Sequence, residues 1–248
     1  MRKTIFTALS LILLILLWYI VSFLADTSAI PYFHQVIRHI DNLTLKEILL
    51  NLSVSLVRIF IGMILVVIIA VPLGIIMGLN RKANEFMNGF TYLLYPIPKV
   101  AFLPVILVLF GIGGMTAVIM VFLVLFFQCL VSVRDSIINV DTALFNWMKT
   151  TGATKSQMIY HIILPSIVPS LLTWVRVGLG TSLAVLFFAE NIATDKGIGF
   201  FILDSWSRID YMDMYLGIIF LSIAGFILFN LIGLLEKRAL RYRKVIQK

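Results

Sequence analysis

Few side chains in this sequence are of types that do chemistry, and their spacing argues against chemistry of their own. The string GATKS at 152–156 holds a glycine, a lysine and a serine, the residue types of a phosphate cradle. It lacks the GxxxxGK[ST] spacing and follows no strand-like segment, so it cannot form that cradle. His34 and His39 lie five apart in a loop-like stretch, His161 stands far from both, and no paired-histidine metal motif occurs. The single Cys129 sits in an apolar run, where a small buried residue is expected; neither an intrachain disulfide nor a multi-cysteine metal site can form. No Ser/His/Asp constellation falls within the apolar runs. What remains is charge placed where charge is expensive. Arg176 and Glu190 share one apolar run, and such residues mark solute or ion pathways or proton relays. The expected work is therefore movement of a solute, with no catalytic, cofactor-binding or metal residues.

The elements that position these residues follow from composition. With 61% hydrophobic and 13% charged residues, and a mean hydropathy of +1.05, most of the surface cannot face water. The apolar runs are long and do not alternate, so they are helices rather than barrel strands, because lipid offers backbone amides no partners. The fold class is all-α and membrane-spanning. Runs of about 20 residues suit a hydrocarbon core of about 30 Å, and six spans are expected near 5–24, 53–79, 90–110, 115–133, 171–190 and 214–235. Arg2 and Lys3 followed by an unbroken run to Leu24, with no small-x-small cleavage site, are expected to give a retained anchor.

Within these spans three features stand out. Gly74 and Gly78 form a GxxxG that lets another helix approach closely. Pro96, Pro98 and Pro104 interrupt the third span, and irregular backbone at membrane depth is tolerated where it lines a pathway or is covered by protein. In the fifth span Thr173, Arg176, Gly180, Leu183, Phe187 and Glu190 follow spacings of three and four and form one stripe, expected to face the pathway with Glu190 near its outer mouth. Arg176 and Glu190 are fourteen residues apart, about 21 Å along a helix, so each must find another partner.

Loop charges set the expected orientation. With both termini inside, Arg2, Lys3, Arg81, Lys82, Arg134, Lys149, Lys155 and the basic C-terminal segment from Lys237 are cytoplasmic, against Arg38, Lys46, Lys196 and Arg208 outside. The net charge of +8 then needs no nucleic acid, since the tail EKRALRYRK follows the last span and meets anionic lipid headgroups. Three regions are expected: 1–50, an anchor helix with an amphipathic connector along the outer interface; 51–240, the transport domain; and 241–248, a basic cytoplasmic tail.

The longest inner loop, 134–168, has the grammar of a rigid two-helix hairpin. Asp141 suits an N-cap for a helix over Thr142 to Thr150, Gly152 permits a turn, and Thr154 with Gln157 has capping-box spacing for a second helix ending at Pro165. Gly152, nine residues from Ala153 to His161, and then Ile162-Ile163-Leu164-Pro165 complete the second half of a known loop motif. On these residues the chain resembles the permeases of bacterial ATP-binding-cassette importers. The Glu-Ala-Ala of that motif is replaced by Asn146, Trp147 and Met148. Further matches, NLSVSLVRIFIG at 51–62, VPLGIIMGLNRK at 71–82, YPIPKVAFLPVILVLFGIG at 95–113 and AENIATDKGIGFFI at 189–202, resemble the nitrate, sulfonate, taurine and bicarbonate group.

The resemblance implies a permease in the inner membrane that itself hydrolyses no ATP and carries a small solute of the nitrate, sulfonate, taurine, bicarbonate or pyrimidine-precursor type. It implies a second permease copy, a separate ATP-binding subunit and an extracytoplasmic substrate-binding protein. It implies docking of the ATPase through Trp147, Met148, Thr151, Gly152, Ala153 and Gln157, on a loop closed by Leu164 and Pro165. The alternative from the residues alone is an ion-coupled secondary transporter with Arg176 and Glu190 as relay, which would have no use for a docking hairpin.

Overall fold

The computed structural model describes residues 2–240, and every regular element among them is helical. The order is α1 (Arg2–Ala25), α2 (Phe33–Arg38), α3 (Asn42–Leu79), α4 (Arg81–Leu94), a 3-10 turn (Lys99–Phe102), α5 (Leu103–Phe110), α6 (Gly114–Ile138), α7 (Thr142–Thr150), α8 (Lys155–Met158), a π turn (Ile159–Ile163), α9 (Leu164–Ala193), α10 (Ile198–Ser207) and α11 (Tyr211–Ala239). The basic tail expected at 241–248 lies outside the described residues.

Four stretches are long and apolar enough to cross a membrane, Asn42–Leu79, Gly114–Ile138, Lys155–Ala193 and Tyr211–Ala239, and a fifth is reached if α4 and Lys99–Phe110 count as one broken span. The expected six is not reached by this measure. The third expected span, 90–110, is the broken one: its two halves are bent by 81° around Pro96 and Pro98, and Pro104 falls in the first turn of α5. Proline removes the amide that would continue the ladder and clashes with the preceding turn, so a helix entering YPIPK must end there. The anchor helix α1 contributes a shorter apolar segment, Leu9–Ala25.

The connector also differs from expectation. Residues 42–50 are not an independent interfacial element but the first turns of α3, started by Asp41, whose side chain accepts from the Thr44 amide at 2.7 Å. That hydrogen bond holds the Asp41 carboxyl below its usual range. At 38 residues α3 is about 57 Å long, well beyond one hydrocarbon thickness, so it must project from the bilayer or tilt.

Lipid supplies no hydrophobic drive between helices, so the core forms where small residues allow close packing. A Cβ on Gly62 would lie 2.7 Å from Val121, on Gly74 2.8 Å from Val133, and on Gly78 2.7 Å from Ile137. The expected GxxxG contact is therefore made by α6 of the same chain. α6 packs in turn on α9, and Cys129 lies fully buried in this core. A second, smaller core joins Val36, Ile48, Phe201 and Leu216, and α1 is fastened to that end by Trp18, whose Nε1 donates to Pro31 O at 3.0 Å. Most remaining apolar side chains, such as Leu13, Ile68 and Val108, point outward, as lipid-facing residues do.

Candidate functional site: the docking hairpin and the charges within the helices

The hairpin forms as its sequence predicts. The Asp141 side chain accepts from Ala143 N at 2.8 Å and starts α7. Thr154 and Gln157 cap each other reciprocally and start α8. Between them Gly152 has φ +76°, a left-handed conformation costly for residues with a Cβ, and Ala153 N reaches back to Met148 O at 3.0 Å. One expectation fails. Pro165 does not end the second helix: Leu164 N bonds Ile159 O in a π turn, and Pro165 falls in the first turn of α9. The wider turn accommodates a residue that has no amide, so α8, the π turn and α9 run on as one stretch from Lys155 to Ala193.

The docking candidates divide by what they touch. Trp147 is 64% exposed and Leu144 51%, forming an apolar tip, whereas Phe145 and Ile159 pack inward against the main core. Met148 and Ala153 are half-buried, and the Thr151 hydroxyl is spent on Met148 O and Trp147 O. Gln157 is occupied by the capping box. Nothing lies within 4 Å of a Cβ on Gly152, so its glycine serves the turn rather than packing inside this chain. Behind the tip, Trp147, Met148, Asp135, Asn139, His161 and Pro165 line an open groove of about 840 Å³.

The α9 stripe does not face one way. Arg176 pairs with Glu236 of α11, with Thr173 Oγ1 3.5 Å from the same carboxylate and the Phe229 ring 5.6 Å from the guanidinium. Leu183 also packs toward α11, at Gly225, while Gly180 faces open space. Glu190 turns to α3 and α10. Ala184 is exposed on the same side as Gly180. Glu236 escapes a reading of α9 alone, since a partner on another helix leaves no spacing signal. We expect Arg176→Leu to lower transport, Glu236→Gln to lower it comparably, and the exchange Arg176→Glu with Glu236→Arg to recover part of it. Loss of one partner of such a charged hydrogen bond costs about 1.5–3 kcal/mol. Uptake measured alongside the melting temperature checks this, and a full effect of Arg176→Leu with none from Glu236→Gln would show that Arg176 acts alone.

Glu190 is fully buried rather than set at a mouth. Its carboxylate accepts from Ser55 Oγ at 2.7 Å, from Arg58 Nη1 at 2.7 Å and from Gly199 N at 3.0 Å. Arg58 also donates to Lys196 O at 2.6 Å. Gly197 N donates to Asn51 Oδ1 and Ile198 N to Ser55 Oγ, each at 2.8 Å. Three amides at the start of α10, which has no cap of its own, are thus capped by side chains of α3 and α9. The positive end of a helix and a guanidinium together make a buried carboxylate tolerable. The AENIATDKGIG string signals this arrangement by placing an acid ahead of two glycines, but the donors on α3 are more than 130 residues away.

These membrane-length helices, the broken span and the hairpin are features of a membrane transport subunit, and comparison with known proteins agrees. Residues 70–241 match the family model of the binding-protein-dependent transport system inner membrane component. The chain belongs to that family. It is 33% identical to an ABC transporter permease protein of Methanocaldococcus jannaschii over 77% of this chain and 69% of that one. It is 28% identical to the taurine transport system permease of Escherichia coli K12 over 79% and 72%, and 27% identical to a bicarbonate transport system permease of Synechococcus elongatus over 75% and 68%. A chain of the MetNI methionine ABC transporter in an inward-facing conformation shares the fold, with a TM-score of 0.66 at 18% identity over 82% of this chain and 99% of that one. The protein is an ABC importer permease.

Proposed function

We propose that two copies of this chain form the pathway of an ATP-driven importer, with the hairpin and both termini on the cytoplasmic side. The α7–α8 tip docks into a separate ATPase, and a binding protein delivers a small oxyacid to the opposite end. The observation that carries the coupling is the continuity from Lys155 to Ala193: a push on the hairpin has no flexible joint in which to dissipate before it reaches α9. The exposed Trp147 and Leu144 supply an apolar anchor of the kind that fills a groove in a partner. Names of relatives, taurine and bicarbonate among them, support the solute class. A relay of Arg176 and Glu190 is disfavoured, because each is committed to a different partner.

The test uses single cysteines in a Cys129→Ala background. A cysteine at exposed Ser207 should react with an impermeant maleimide in intact cells, and one at Ser156 should not. In inside-out vesicles Ser156→Cys should label freely and be protected when the cognate ATPase is added, with Trp147→Ala weakening that protection about tenfold, as for a buried aromatic anchor. Labelling of Ser156→Cys from outside overturns the orientation, and absence of protection overturns the docking.

A further inference from the structure

Arginines set within the expected spans have carboxylate partners: Arg58 has Glu190 and Arg176 has Glu236. The lysine within those spans, Lys99, is the exception among the described residues. It stands at the head of the 3-10 turn, immediately after the Pro96–Pro98 break, and its ammonium meets no carboxylate. It donates to Leu94 O at 2.7 Å and to Tyr95 O, and lies 5.4 Å from the Tyr95 ring and 5.2 Å from that of Phe127.

Phe127 fixes its depth. It lies thirteen residues after the start of α6 and seven before Arg134, about 20 Å and 10 Å along the helix, so the ammonium stands inside the expected span 115–133, in its cytoplasmic half. An ammonium has three N–H donors. Two are used on carbonyls at the C-terminal end of α4, where the helix dipole favours a cation and where Pro98 has no amide to continue the ladder. The third has no protein acceptor among the described residues. In hydrocarbon that N–H and that charge would both be unsatisfied, and the broken backbone beside them is tolerated only against protein or water. The flanking Ile97 and Val100 are 37% and 40% exposed, so this chain leaves the site open on one side.

We propose that Lys99 is the anion-attracting residue of the translocation pathway, its free N–H and unpaired charge receiving the oxyanion of a passing sulfonate, carboxylate or bicarbonate. This rests on the permease reading and deepens it by naming the group that selects the solute's charge. A lysine suits transit better than an arginine fork, because a point charge on a flexible stem does not demand one bidentate geometry and so releases its ligand more readily.

The test reads the local potential directly and needs no identified solute. In the Cys129→Ala background, Ile97→Cys and Val100→Cys are placed in membrane vesicles with the ATPase. Their modification rates by an anionic sulfonatoethyl and a cationic trimethylammonioethyl methanethiosulfonate are compared. The anionic-to-cationic rate ratio should be at least about tenfold higher with Lys99 than with Lys99→Gln, as a nearby unit charge in a partly hydrated cleft requires. Lys99→Arg should keep it. An equal ratio in Lys99 and Lys99→Gln, or no modification at either position in any nucleotide state, overturns the proposal. Should Lys99→Gln not assemble, the ratio at Ile97→Cys is compared with that at Ile112→Cys, 80% exposed beyond α5, and equal ratios overturn it too. ATPase protection of Ser156→Cys is read in the same vesicles, so failure of the permease reading is seen separately.

Discussion

Arg58→Leu is expected to destabilise the protein by about 3–5 kcal/mol, because it leaves the fully buried Glu190 carboxylate without its cationic partner. Leucine fills part of the volume but donates nothing to Glu190 or to Lys196 O, both of which Arg58 serves. Glu190→Gln should cost less, since an amide oxygen still accepts from Ser55 or Gly199. The double variant Arg58→Leu with Glu190→Leu should be no less stable than the worse single one, because removing both charges removes the unpaired one. Thermal unfolding in detergent, followed by loss of the monodisperse peak, measures these three and the Glu190→Leu single variant. Additive losses in the double variant would show that the two residues are not a unit. The functional consequence follows from position: the pair joins α3 to α9 and holds the start of α10, so a weakened pair loosens the end of the bundle opposite the hairpin.

Gly197→Ala should be almost as damaging, by about 3 kcal/mol or more, for two independent reasons. Gly197 has φ 120° and ψ 158°, a region open essentially to glycine alone, where any other residue is strained. A Cβ there would also fall 2.3 Å from the Glu190 carboxyl carbon, and that carboxylate cannot yield without giving up its bonds to Ser55, Arg58 and Gly199. Gly180→Ala provides the opposite sign. Gly180 lies within α9 with nothing within 4 Å of its Cβ position, so alanine should be neutral or stabilise the helix by up to about 1 kcal/mol. The same melting assay measures both, and equal effects at the two glycines would contradict the capping geometry at α10.

The two results bear on how the ends of the bundle are coupled. The hairpin end is an exposed apolar tip on a stiff lever, whereas the far end is held by one ion pair and three side-chain caps. A transporter must change shape between states, and a ligand or partner can shift that balance only through contacts that differ between them. The long stretch from Lys155 to Ala193 passes from one end to the other, and Arg176 with Glu236 pins it to α11 near the hairpin end.

The sequence by itself determined whatever depends on local spacing or on solvent. Apolar run length specified helices in a membrane, because backbone amides have no other way to be satisfied there. Asp141, Gly152, Thr154 and Gln157 specified the hairpin to the residue, because caps and left-handed turns are written within three or four positions. The prolines of YPIPK marked where a span would break. Only the tertiary structure decided what each charge meets. Arg58, inside the expected span 53–79, carries no local sign of a partner until α9 brings Glu190 against it, and Glu190 reads as a residue at a mouth until α10 covers it. The α9 stripe divided between α11 and α3 because side chains of neighbouring helices, not helical periodicity, set what each position faces. Pro165 looks like a stop in the sequence for a similar reason: a proline forbids one amide bond, but a π turn shifts the ladder so that this bond is not required. Lys99 gives no sign of its role in the sequence, because a lysine among prolines carries no spacing signal. Its lack of a carboxylate became visible only once every other deep cation had found one, since pairing across helices depends on distances that no stretch of sequence contains.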